Sequence, residues 1–331
     1  FILGDFDDNA IVPWANIPES VINSPKHQQL ALEMARQSMT LLQNKKNILP
    51  LSKNQKIAVI GPNADDARLM WGNYNGTPVK TITLLEGIRS IAKKDVFYDK
   101  GCDLVDDMIL ESFLNYCTID GKPGIKATYW NNKERAGNAV TSVYYDKQIR
   151  RSTTGQHPFG PGVKLQDFSG IFETILKPVE SGEIVFRLQS IGDCQLLVND
   201  EVISDYTSWR FVTKRIPYQV EKGKEYKIRI NFTQNYDFAN ANLNFSVGKE
   251  TPVNYDELVN KLKGIDVVIF AGGISGELGG KEMPIELPGF KGGDRTDIEL
   301  PASQRSCIKA LKNAEKKVIL VNCSGSAMGL V

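Results

Sequence analysis

Three runs of the sequence set apolar residues side by side with no polar alternation: "IAVI" at 57–60, "VVIFA" at 267–271 and "VILV" at 318–321. A strand with one face in water alternates, whereas a strand without alternation needs cover on both faces. A parallel sheet clothed by helices supplies that cover. The flanking text agrees. "TLLEGIRSIAK", "VNYDELVNKLKGI" and "SQRSCIKALKNAEK" carry apolar residues at helical spacing, and "DVFYDKG" reads as a further strand. An earlier run, 26–44, places Leu30, Met34, Leu41 and Leu42 at helical spacing, with Pro25 suited to a first turn. Strand and helix in turn are the rhythm of parallel βαβ units.

The rhythm stops near Cys117 and resumes near Pro252. Between them stand short, alternating, turn-bounded segments such as "GIKATYWNN", "GEIVFRLQS", "CQLLVNDEVISD" and "ANLNFSVG", with "NDE" and "EKGKE" reading as hairpin turns. The expected fold class is therefore α/β: a parallel-sheet α/β sandwich interrupted by an inserted all-β sandwich. The expected division is 1–50 as a linker and helix, 51–118 and 250–331 as the two halves of the α/β domain, and 119–249 as the insertion. Insertion at a loop is tolerated because the two ends of the loop lie close together. The text begins with Phe1 and ends just past a strand. The α/β sheet is accordingly expected to be incomplete and the chain to be a piece of a longer protein.

A net charge of +1 gives no electrostatic reason to expect nucleic acid or an anionic membrane as partner. No apolar run approaches the ~20 residues a spanning helix needs. The five cysteines include no C-x-x-C pair, so buried free thiols are expected rather than a metal site. Of the two histidines, His27 falls at a helix start, where a capping or surface place is expected.

The segment 270–301, "FAGGISGELGGKEMPIELPGFKGGDRTDIELP", leaves the carboxyl end of a predicted parallel strand, where open α/β sheets bind ligands. It holds Glu277, Glu282, Glu286, Glu299, Asp294 and Asp297. A phosphate loop is excluded: Ser275 stands where the first Walker glycine belongs, and Glu282 where Ser or Thr is needed. Carboxylates on a shaped loop fit glycoside hydrolysis better. There one carboxylic acid, its pKa raised by desolvation and like charge, protonates the leaving oxygen. Trp130, Tyr206, Trp209, Phe211 and Tyr236 are candidates for stacking on a sugar, although the core or rim of a sandwich is the ordinary place for such residues.

The stretch "FDDNAIVPWANIPESVINSPKHQQLALEMARQSMTLLQNKKNILPLSKNQKIAVIGPNAD" resembles the join between barrel and second domain in glycoside hydrolase family 3. "GNYNGTPVKTITLLEGI" and "GGISGELGGKEMPIELPGFKGGDRTDIELPASQR" resemble later parts of that second domain. The similarity is to the β-xylosidase and β-glucosidase branch. "GIKATYWNN", "PVESGEIVFRLQS" and "LLVNDEVISD" resemble the anthrax protective-antigen-type domain inserted in some of these enzymes. The resemblance implies a retaining exo-glycosidase acting on plant-wall oligosaccharides, without a cofactor and located in the periplasm or secreted. It implies a nucleophilic aspartate on a barrel absent from this chain, and an acid/base on the 270–301 loop. Relatives of this branch often read "SPELEGEE" where this chain reads "SGELGGKE", so Gly276 and Gly279 depart from the pattern. Glu277 is the first choice for the acid/base and Glu282 the second. Where related insertions bind calcium through adjacent aspartates, Gly192-Asp193 stands here, and no metal is expected.

Overall fold

The computed structural model describes residues 4, 6–70, 78, 80–146, 148–276, 289–292 and 294–330. They divide into two compact units, Phe1–Ser52 and Lys53–Val331. In the first, helix Pro25–Ser38 starts with Pro25 in its first turn, and the Ser24 hydroxyl accepts the His27 N–H at 3.4 Å. The helix ends at Ser38 instead of running on to Asn44, and none of its residues is buried. Helical turns in proteins are held mainly by packing an apolar face. Without such a face, periodicity alone overreaches. The chain then closes a loop in which the Asn44 side chain both donates to the Leu49 carbonyl and accepts its N–H, each at 3.0 Å.

In the second unit, strands Val318–Cys323, Val267–Gly273, Ile57–Ile60 and Phe97–Asp99 lie side by side in that order, all parallel. The two central strands are buried along their whole length, as their unalternated sequence requires. The outer two are only half-buried, each pairing on one side among the described residues. Helices Tyr255–Lys261 and Ala302–Asn313 cover one face, packing Leu258, Leu262, Cys307 and Leu311 onto Ala58, Ile60, Val268 and Phe270. Helix Leu84–Ile91 opens with a capping box: Thr83 Oγ1 accepts the Glu86 N–H at 3.2 Å, and the Glu86 carboxylate accepts the Thr83 N–H at 2.9 Å.

The all-β text forms one large antiparallel sheet. Its central order is Met108–Ser112, Asn242–Pro252, Gly182–Val198, Tyr226–Thr233, Ser169–Leu176. Gly182–Val198 and Glu201–Val220 make a long hairpin. Its turn residues Asn199 and Asp200 have φ of 51° and 67°, the left-handed pair a two-residue hairpin turn demands. The inward faces enclose an aromatic core in which Phe159 meets Phe168 at 4.9 Å and Phe232 at 5.4 Å between ring centres.

A charged junction joins the two sheets. Arg187, on strand Gly182–Val198, donates to Glu250 at 2.6 Å and to Asp103 at 3.0 Å. Arg215 also donates to Glu250, whose side chain is only 3% exposed. Burial by itself would raise the Glu250 carboxyl, but the hydrogen bonds from Arg215 and Arg187 outweigh it and hold the group below its ordinary value of 4.5. A carboxyl so lowered stabilises the fold when ionised and loses that contribution as acid protonates it. This contribution to stability should therefore be level above about pH 4.5 and fall as the pH drops through the lowered value beneath it. Glu250→Gln should weaken this acid limb and cost about 1–3 kcal/mol at neutral pH, because the half-exposed Arg215 loses its counter-charge while Arg187 keeps only Asp103. Urea denaturation across that pH range measures both effects.

Candidate functional site

The first and second central strands send their chains to opposite sides. After Ile57–Ile60 the next strand of the sheet, Phe97–Asp99, lies on one flank. After Val267–Gly273 the next, Val318–Cys323, lies on the other. Between strands that diverge in this way the loops part at their carboxyl ends and leave a crevice. A crevice of about 840 Å³ opens there, lined by Leu69 and Met70 beyond the first strand, Ile274 and Gly276 beyond the second, and Asp297 and Ser324.

Two glycines let the strand ends come this close. Gly61 has φ 119°, and a Cβ on it would sit 2.2 Å from the Ala271 carbonyl oxygen. Gly273 has φ 123°, and a Cβ on it would sit 1.9 Å from the Cys323 carbonyl oxygen. Neither position admits a side chain. The departing loops are then pinned by Asn63 N–H to Ala271 O at 3.2 Å and Ile274 N–H to Cys323 O at 3.0 Å.

The far wall is built by "DRTDIELP". Phe290–Lys291 pairs with Asp294–Arg295 as a short antiparallel ribbon. The Arg295 guanidinium donates to the Ala327 carbonyl at 2.6 Å and to the Glu299 carbonyl at 3.0 Å, tying this wall to the segment after Val318–Cys323. Asp294 and Asp297 both line the crevice. Asp297 Oδ1 accepts the Glu299 N–H at 2.8 Å, and the Glu299 carboxylate lies 3.7 Å from Arg305. The described carboxylates thus shape the wall. Cys323 also borders the crevice, and burial pushes its thiol up, which keeps it protonated and a poor nucleophile.

Glu277 and Glu282 lie outside the described residues, as do Glu286 and Gly279. Ser275 and Gly276, directly before Glu277, line the crevice. The Thr296 N–H bonds the Gly289 carbonyl at 2.9 Å where the chain returns. Most of "WGNYNGTP" also lies outside the described residues.

The five aromatic candidates do not form one platform. Tyr206 packs against the aromatic core and its hydroxyl meets Ser190 Oγ at 3.0 Å. Trp130 donates to the Gly137 carbonyl at 3.3 Å, and Phe211 is half-buried. Trp209, 47% exposed, instead meets Phe238 at 5.9 Å, and Phe238 meets Tyr236 at 5.7 Å, with the Arg210 guanidinium 4.2 Å above the Trp209 ring. Sequence reasoning misses Phe238, Arg295 and Gln304. For Arg295 the signal was its place among acidic residues in a loop, where a guanidinium has work to do in holding carbonyls.

Residues 39–331 match the model of the Glycosyl hydrolase family 3 C-terminal domain. A xylan 1,4-beta-xylosidase of Xylanibacter ruminicola is 46% identical over 333 residues, which is 100% of this chain and 38% of that protein. A probable beta-glucosidase I of Emericella nidulans is 29% identical over 94% of this chain and 38% of its own length. The chain thus spans about two fifths of these curated relatives. Among solved structures, a beta-glucosidase from Kluyveromyces marxianus in complex with glucose shares the fold, with a TM-score of 0.59 and 22% identity over 93% of this chain and 38% of that one.

Proposed function

The chain belongs to the glycosyl hydrolase family 3 C-terminal domains, and from that premise we propose that it is the acid/base-bearing part of a larger retaining, exo-acting β-glycosidase. The observation that carries this reading is the crevice at the strand switch, with the glutamate-bearing loop leaving from its wall at Ser275–Gly276. The substrates are plant-wall oligosaccharides. β-Xylosides come first, because the 46%-identical relative is named a xylosidase, and β-glucosides are the alternative.

In this reading a loop glutamate, Glu277 before Glu282, protonates the glycosidic oxygen as the bond breaks. Its carboxylate then draws a proton from water in the second step. Asp294 and Asp297 line the same crevice, and like charge near a carboxylic acid favours its protonated form. The nucleophile and the rest of the sugar pocket come from a barrel elsewhere in the same protein. The division at 1–50, 51–118, 119–249 and 250–331, with strand Met108–Ser112 lying in the antiparallel sheet, and a periplasmic or secreted location belong to the same proposal. A second reading, a non-catalytic carbohydrate-binding module, is favoured by the exposed Trp209 and Phe238 rings beside the half-buried Tyr236.

The two readings separate by assay. The full-length protein should release xylose from xylobiose, whereas the isolated chain, lacking a nucleophile, should show no turnover of aryl β-glycosides. Turnover by the isolated chain that a glycosidase inhibitor blocks would contradict the division of labour. An inert full-length protein that still binds xylo-oligosaccharides would favour the binding module.

A further inference from the structure

Gln304 is a fully buried polar side chain in the first turn of helix Ala302–Asn313. Its amide is spent on three backbone groups. Oε1 accepts the Gly273 N–H at 2.8 Å, and Nε2 donates to the Gly273 carbonyl at 2.8 Å and to the Leu104 carbonyl at 2.7 Å. Gly273 is the last residue of the central strand, three residues before the crevice-lining Gly276. The side chain thus grips both polar groups of that residue, as an added strand would. A Cβ on the neighbouring Gly272 would come within 2.6 Å of Gln304 Oε1, so glycine there leaves room for the grip.

The third bond reaches elsewhere. Leu104 lies in the segment leading from the parallel sheet into strand Met108–Ser112 of the antiparallel sheet. Next to it, the Asp103 carbonyl accepts the Ser303 hydroxyl at 3.1 Å, and the Asp103 carboxylate meets Arg187 at 3.0 Å. One buried amide therefore joins the base of the glutamate loop to the entry of the antiparallel sheet. Few side chains fit. An apolar replacement leaves three buried backbone groups without partners. A carboxylate sets negative charge against two carbonyl oxygens and keeps one favourable bond.

We infer that Gln304 is a positioning residue that holds the departure point of the acid/base loop at Gly273, an inference that rests on the proposed function. A misplacement of about 1 Å can slow an enzyme by about a hundredfold, while binding of the sugar to the rest of the pocket is untouched.

The test uses the full-length protein with Gln304→Leu and Gln304→Glu, beside Glu277→Gln and Glu282→Gln. Hydrogen exchange is read first. In Gln304→Leu the Gly273 amide should exchange at least about tenfold faster, the value of one lost hydrogen bond, with strand Ile57–Ile60 unchanged. Kinetics follow. For Gln304→Glu, kcat on a disaccharide should fall about 10- to 100-fold with KM nearly unchanged. The loss should be much smaller on a dinitrophenyl glycoside, and it should shrink as the pH drops and the new carboxyl takes up a proton it can donate. Unchanged exchange at Gly273 overturns the inference. So does an equal slowing of both substrates when a loop glutamate variant shows the leaving-group effect. If neither glutamate variant shows that effect, the proposed acid is wrong, and Gln304 is then judged by exchange alone. Should Gln304→Leu fail to fold, Gln304→Met takes its place in the exchange measurement, while Gln304→Glu, which still accepts the Gly273 N–H, is read by kinetics alone.

Discussion

Glu277→Gln in the full-length protein is expected to slow hydrolysis of a natural disaccharide by about 10²–10⁴-fold, the usual contribution of proton transfer by a positioned acid. The sugar leaving group of a disaccharide is a poor one and needs its proton as the bond breaks. A dinitrophenolate needs none, so glycosylation by a dinitrophenyl glycoside should be slowed much less. Both arms are measured as kcat/KM with the two substrates, because kcat/KM reports the first irreversible step. Glu277 follows Gly276 at the crevice wall, whereas Glu282 stands further along the loop. If Glu282→Gln shows the split between leaving groups and Glu277→Gln does not, the role moves to Glu282. If neither does, Gly279, where the family resemblance leads one to expect a glutamate, becomes the position to restore.

Gly273→Ala should be among the most damaging single methyls at the described glycines. The position combines φ 123° with a Cβ site 1.9 Å from the Cys323 carbonyl oxygen. That oxygen is fixed by the Ile274 N–H at 3.0 Å. Relief would require strands Val267–Gly273 and Val318–Cys323 to part at their carboxyl ends. Backbone strain of about 1–2 kcal/mol and overpacking of about 1–3 kcal/mol add here, a large part of the stability of an ordinary domain. Gly87→Ala is the matched control. Gly87 lies inside helix Leu84–Ile91 with nothing within 4 Å of its Cβ site, so alanine should stabilise by about 0.5–1 kcal/mol. Denaturant unfolding of both variants checks the contrast. Equal effects would show that the crowding at Gly273 is not what limits that site.

The parallel sheet is legible in sequence because strands such as Val267–Gly273 carry no polar residue, and only a doubly covered place accepts that. The hairpin turn at Asn199-Asp200 is legible for a local reason, since these residue types tolerate left-handed backbone. The end of helix Pro25–Ser38 is not legible, because its apolar spacing continues where the helix does not.

The site divides in the same way. The place of the crevice follows from strand order, which motif reading anticipates. The Gln304 clamp is invisible because its partners stand 31 and 200 residues away in sequence. Tyr206 and Trp209 looked alike as sugar-stacking candidates. Tyr206 pairs in regular register and packs onto the core, whereas Trp209 stands in the irregularity between Ser208 and Val212 and is 47% exposed.

The most direct test of the acid/base loop is the product formed when azide is added to the Glu277→Gln and Glu282→Gln full-length proteins during turnover of a dinitrophenyl β-xyloside. A retaining enzyme without its base waits at the covalent intermediate, and an anionic nucleophile needs no base to release it. Azide is expected to accelerate turnover of one of the two variants, Glu277→Gln first, and to give a β-configured xylosyl azide as product. No acceleration and no glycosyl azide from either variant, or an azide of inverted configuration, would contradict it.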